Sequence, residues 1–176
     1  MRIWNTIATL TAIAACAATV AQAQEQRKSP HETVKATIDG ATITVEYGRP
    51  SMKGRKVMGE LVPFGKVWRT GADEATTLTT DKELQISGTI VPAGKYTLYT
   101  LPGQTDWQLI VNKQTGQWGT EYDQKQDLGR VPLKKTATSA PVEQLTISVD
   151  KNPAGGGLLR IAWENTALTA PISVRP

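Results

Sequence analysis

Apolar and polar residues alternate with period two along most of the chain, the pattern of strands that turn one face to a core. Residues 33–38 and 41–47 flank Asp39-Gly40, a dipeptide suited to a two-residue type I′ turn because both central positions need positive φ. A two-residue loop sets Ile38 opposite Ala41, Ala36 opposite Ile43 and Val34 opposite Val45, all on one face. Thr37 with Thr42, Lys35 with Thr44 and Thr33 with Glu46 then fall on the other. Turn register and apolar pattern agree on a hairpin with one wet face.

Strand-like segments recur at 76–80, 83–87, 95–101 and 107–112, the last two joined by Pro102-Gly103, with Trp107, Leu109 and Val111 alternating inward. Residues 128–133, 142–149 and 158–164 follow, and a short edge strand is expected near 172–174. No helical period is sustained anywhere in this region. The reading is all-β, an antiparallel β-sandwich or jelly-roll-like barrel over residues 33–176, preceded by a flexible segment at 24–32. Residues 48–75 break the pattern, being too long for a hairpin connection and lacking either period. One helical turn around 57–61 is the most regular structure this stretch suggests. It is also basic: Arg49, Lys53, Arg55, Lys56, Lys66 and Arg69 face only Glu60 until Asp73 and Glu74.

The same stretch carries a resemblance. Tyr47-Gly48-Arg49-Pro50-Ser51-Met52-Lys53-Gly54-Arg55, then Gly59 and the run from Leu61-Val62-Pro63-Phe64-Gly65-Lys66 through Val67-Trp68-Arg69-Thr70-Gly71-Ala72-Asp73-Glu74-Ala75-Thr76, is similar to the exported bacterial family catalogued as domain of unknown function 2911. Pro92-Ala93-Gly94-Lys95-Tyr96-Thr97-Leu98, the stretch 107–113 and Trp118-Gly119 extend the similarity over most of the chain. The resemblance implies an exported β-rich domain and transfers no activity to any residue. Asp73 stands where the family pattern more often has Asn.

The first residues read as an export leader. Arg2 precedes an apolar stretch over 3–20, and Ala21-Gln22-Ala23 supplies the small residues of a cleavage site, so 1–23 is expected to be removed and Gln24 to become the first residue of a periplasmic or extracellular protein. Ile13-Ala14-Ala15-Cys16 offers a rival, a lipobox that would leave a lipid anchor on Cys16. Among 176 residues there is one cysteine and one histidine, His31, which excludes disulfide frameworks, thiolate–imidazole zinc sites and haem attachment motifs. The formal charge of +4 is too small to argue for nucleic acid.

Candidate chemistry centres on the basic stretch. Arg49, Arg55 and Arg69, with Lys53, could converge on a carboxylate, phosphate or sulfate; the alternative is that each pairs with Glu60, Asp73 or Glu74, or with loop carbonyls. Trp68 and Trp118 serve either as packing anchors or as rings that stack a ligand. Asp73-Glu74, or Glu121 with Asp123 and Asp127, could form a glycosidase pair, and Asp123 with Asp127 a calcium site, though no calcium-loop spacing is present. His31 reads as a solvent-exposed terminal histidine rather than part of a triad. The leading expectation is a non-catalytic module that binds a small anion or glycan, or another envelope component, without cofactor or metal. A carboxylate-based hydrolase acting on glycans and a purely structural envelope protein remain the alternatives.

Overall fold

A computed structural model describes residues 28–175; the expected leader, its cleavage site and Cys16 lie outside them. The strands are β1 (His31–Ile38), β2 (Ala41–Gly48), β3 (Thr77–Thr80), β4 (Leu84–Ile86), β5 (Thr89–Val91), β6 (Gly94–Leu101), β7 (Trp107–Asn112), β8 (Asp127–Lys151) and β9 (Gly157–Val174). They join in the order β1-β2-β3-β6-β7-β8-β9-β4-β5, every pair antiparallel, with β1 and β5 as the two ends of a sheet that does not close into a barrel. Among the described residues the helical structure is one 3-10 turn, Gln124–Gln126.

The opening hairpin follows the sequence. Asp39 and Gly40 have φ of 45° and 78°, as a type I′ turn requires, and the register sets Ile38 on Ala41, Ala36 on Ile43 and Val34 on Val45. Ile43 and Val45 are fully buried while Thr42 and Thr44 are half-buried. Pairing begins two residues earlier than the alternation indicates, because His31 and Glu32 continue the ladder to Gly48 and Tyr47.

The largest departure is in the last third of the chain. The expected strands at 128–133 and 142–149 are one strand, β8, and those at 158–164 and 172–174 are one strand, β9. β8 pairs with β7 over Asp127 to Leu133 and with β9 from Lys134 onward, with register shifts between Ala137 and Val142 and between Val142 and Thr146. These irregularities break the period-two pattern without ending the strand. β8 thereby carries the chain from one half of the sheet to the other, and the halves share a core. Ile43, Val45, Tyr47, Leu98 and Leu109 of β2, β6 and β7 belong to one apolar cluster with Leu145, Ile147, Leu159, Ile161 and Ile172 of β8 and β9. The Ile147 amide donates to the Tyr47 hydroxyl at 2.9 Å, a hydrogen bond between these two faces of the sandwich-like arrangement.

The outer face of β6 and β7 is covered as well. Tyr99, Ile110 and Asn112 are as buried as the inward Leu98, Leu109 and Val111, because the connection from β7 to β8 folds back over them. Thr97 Oγ1 donates to Gln114 O at 2.6 Å, Tyr99 Oη to Glu121 O at 3.0 Å and Asn112 Nδ2 to Asp123 O at 2.9 Å. Between this cover and the connection from β2 to β3 lies the candidate site.

Candidate functional site

The connection from β2 to β3 is ordered, and its basic residues disperse along it. It crosses its own start at Gly48 and Ala72: the Ala72 amide donates to Gly48 O at 3.2 Å, and a Cβ on Gly48 would stand 2.2 Å from Ala72 O. Main chain meets main chain there, which only glycine permits. Just before this crossing, Trp68 exchanges hydrogen bonds with Thr100 of β6, at 2.8 and 2.9 Å, three residues along β6 from Thr97, where the pairing with β3 starts. Residues 69–75 therefore leave and re-enter the same ladder. Thr70 and Asp73 turn this excursion with φ of 55° and 63°, both buried and neither a glycine. Thr70 is held by Thr76 Oγ1 donating to its carbonyl at 3.0 Å. Asp73 Oδ2 accepts from the amides of Lys28 and Ser29, each at 3.1 Å. A short polar residue that tolerates left-handed backbone meets the first demand on Asp73, and an acceptor meets the second.

The arginines take different partners. Arg49 Nε donates to Leu145 O and Nη2 to Thr146 Oγ1, both at 2.9 Å, while Nη1 pairs with Glu32. It joins β1 to β8. Arg55 is spent on the carbonyls of Met52 and Ser51 at 2.9 and 2.8 Å, within its own turn. Lys53 is exposed, and its amide donates to Glu143 Oε1 at 2.8 Å. Lys56 lies 3.9 Å from Glu60 on the surface. Residues 57–61 form turns closed by Glu60 and Val62 amides on Val57 O, at 3.2 and 2.9 Å, in place of a helical turn.

Arg69 is different. Its Nε donates to Gly71 O at 3.2 Å, and its terminal nitrogens have no hydrogen-bond partner among the described residues. It lines a cleft of about 310 Å³ with Leu61, Val67 and Trp68 from the same connection, Tyr99 from β6, and Gly119, Thr120 and Tyr122 from the β7–β8 connection. Each wall is braced. Trp68 stacks on Trp163 of β9 at 5.9 Å between ring centres and 19° between planes. Tyr99 and Tyr122 meet edge to face at 4.9 Å. Gly119 donates to Asp73 O at 3.0 Å, and a Cβ there would fall 2.6 Å from Arg69 Cδ, so the missing side chain leaves the track along which Arg69 lies.

The two phenols are already committed. Tyr99 Oη donates to Glu121 O, and Tyr122 Oη donates to Asp127 Oδ2 at 2.8 Å; burial pushes the pKa of both above the usual tyrosine value. The cleft thus combines one uncompensated guanidinium with aromatic and aliphatic walls.

A second cleft, of about 250 Å³, holds His31, Glu46, Glu74, Thr77, Lys95 and Gln117. His31 is exposed, as its place near the chain start suggests, yet its Nε2 stands 2.9 Å from Glu74 Oε2. Lys95 Nζ pairs with Glu46 Oε2 at 3.2 Å, and Thr77 Oγ1 donates to the same oxygen at 3.2 Å. Lys95 faces Glu46 and His31 faces Glu74, so no basic side chain in this cleft stands without a carboxylate beside it, as the terminal nitrogens of Arg69 do.

Of the residues singled out in the sequence, Trp68 and Arg69 meet in the first cleft. Trp118 is half-buried and bridges Glu74 through the backbone, so its part is to hold the β7–β8 connection against residues 73–75. Asp73 and Glu74 face different partners, the first two backbone amides and the second His31. Asp123 Oδ1 accepts from Lys125 N at 2.9 Å, and Asp127 is taken by Asn112, Tyr122 and Arg130. No group of three metal-ligating side chains is gathered among the described residues. Tyr99, Thr120 and Tyr122 were not legible as site residues, because nothing local in the sequence brings residues 119–122 onto residues 61–69.

Over residues 29–172 the sequence matches the family described as Protein of unknown function (DUF2911). No curated protein and no solved structure shows a match to the chain.

Proposed function

The chain belongs to the DUF2911 family, whose description assigns no activity, and we propose that this member is an exported, non-catalytic binding protein for a small organic anion. The anion's charged group pairs with Arg69, and its apolar or aromatic body rests against Trp68, Tyr99 and Tyr122. The observation that carries this reading is the Arg69 guanidinium, anchored through Nε alone, inside a cleft with aromatic walls. Guanidinium nitrogens in a partly desolvated cleft favour a bidentate carboxylate or phosphate. A volume of about 310 Å³ is near the lower end for ligand pockets, which limits the ligand to a small molecule. Export rests on the leader pattern around Arg2 and Ala21-Gln22-Ala23. A carboxylate hydrolase draws less support, because Asp73 and Asp127 are spent on structural hydrogen bonds.

Thermal-shift measurements of wild type and Arg69→Ala against aromatic carboxylates, phosphate and neutral glycans test the reading. Aromatic carboxylates should raise the melting temperature of wild type and leave that of Arg69→Ala unmoved. Equal stabilisation of both proteins by neutral glycans would replace the anion reading with a stacking one.

A further inference from the structure

We propose that the turn at residues 56–66 is a docking loop that seats the protein on an anionic phospholipid surface. Leu61 and Phe64, at 39% and 37% exposure, are the large hydrophobic side chains left open among the described residues, and both stand on this one turn. The turn is rigid. Val57 and Val62 are fully buried beneath it, the Gly59 amide donates to Val62 O at 3.0 Å, and the Gly65 amide donates to Pro102 O at 2.7 Å. From β9, the Glu164 carboxylate accepts from the amides of Val57 and Met58 at 3.1 and 3.3 Å. Leu61 leans on the cleft wall and the Phe64 ring lies over Gly59, and the part of each side chain that stays open is held in place at the surface.

Charge selects the surface. Lys53, Arg55, Lys56 and Lys66 are exposed around the tip. Lys135 joins them through the neighbouring turn, its Nζ donating to Gln104 O at 2.7 Å beside the Pro102 carbonyl that Gly65 uses. The opposing carboxylates are Glu60, Glu143, Glu164 and Asp106. Glu60 lies 3.9 Å from Lys56, Glu143 accepts from the Lys53 amide, Glu164 from the Val57 and Met58 amides beneath the turn, and Asp106 from Thr105 Oγ1 at 3.0 Å, which leaves Lys53, Arg55, Lys66 and Lys135 in excess at the rim. Two apolar side chains are too little for a protein partner, whose interface takes about 800 Å² from each side. A bilayer accepts a small apolar tip when cations around it meet anionic headgroups. Only Leu61 is shared with the anion cleft, so neither proposal depends on the other.

The test is co-sedimentation with phosphatidylglycerol or phosphatidylcholine vesicles, every protein carrying the same N-terminus as verified by mass spectrometry. Wild type should bind phosphatidylglycerol vesicles preferentially and release them as salt rises. The double variant Lys56→Glu/Lys66→Glu should keep the wild-type melting temperature and bind about tenfold more weakly or worse, and Phe64→Ser, which uncovers Gly59, should bind more weakly at a somewhat lower melting temperature. Arg69→Ala should bind vesicles as wild type does, which separates this surface from the cleft. No preference for the anionic vesicles, or binding by both loop variants equal to wild type, overturns the proposal.

Discussion

Arg49 and Arg69 have the same chemistry and opposite settings. Arg49 spends its donors on Leu145, Thr146 and Glu32, with its side chain 24% exposed, so Arg49→Ala leaves the part-buried Leu145 carbonyl and Thr146 hydroxyl without this partner and should cost about 1–2 kcal/mol in denaturant unfolding. Arg69→Ala removes one hydrogen bond at the cleft edge and should shift stability by about 1 kcal/mol or less. Nothing in the residues next to either arginine, Gly48 and Pro50 for one and Trp68 and Thr70 for the other, separates the two. Arg49 finds its partner carbonyl 96 positions away, a distance over which no local pattern speaks. Asp81 illustrates a smaller effect: the Thr42 amide donates to its Oδ1 at 2.7 Å, and this hydrogen bond holds its carboxyl below the ordinary range. A lowered folded value means that its stabilisation is complete above the unfolded pKa of about 4 and is lost as pH falls through the folded one. Asp81→Asn should therefore flatten the acid limb of a plot of melting temperature against pH.

Among elements, the β1–β2 hairpin was legible because two independent signals, Asp39-Gly40 and the apolar alternation, fix the same register. β8 and β9 were legible only as fragments, since the register shifts around Val142 interrupt the period while the backbone stays paired. β5, three residues long, leaves too little pattern to read. The crossing of the β2–β3 connection over itself depends on a glycine whose role appears only in three dimensions. Gly48→Ala would drive a Cβ to 2.2 Å from Ala72 O, and it should lose stability at the top of the overpacking range of about 1–3 kcal/mol or beyond. Gly116→Ala is the control: no atom lies within 4 Å, so only its positive φ of 82° counts, at about 1–2 kcal/mol. Equal losses by urea unfolding would show that the crossing is not tight.

For the whole molecule, the aromatic residues give a readout of cooperativity. The chain has four tyrosines, Tyr47, Tyr96, Tyr99 and Tyr122, and burial raises the pKa of every one. A raised folded value stabilises fully below the unfolded pKa of about 10 and is lost as pH rises through the folded one. Absorbance titration should show no phenol ionising at the ordinary value, followed by ionisation together with unfolding at higher pH. A phenol that titrates normally while the fold persists would mark a part of the core that opens by itself.

The placement of β4 has a consequence in time. β4 pairs with β5 and, through Leu84, Gln85 and Ile86, with Val174, Ser173 and Ile172 of β9. During synthesis from the N-terminus, β1, β2, β3, β6 and β7 can find one another as they appear, each beside a neighbour already made. The β4–β5 hairpin cannot, and two three-residue strands do not hold together alone in water. It waits, edges open, until residues 172–174 are made. Ribosome-stalled chains should thus show early protease resistance in the first hairpin and late resistance at 84–91, so that the last strand to appear decides when this edge is closed to other chains.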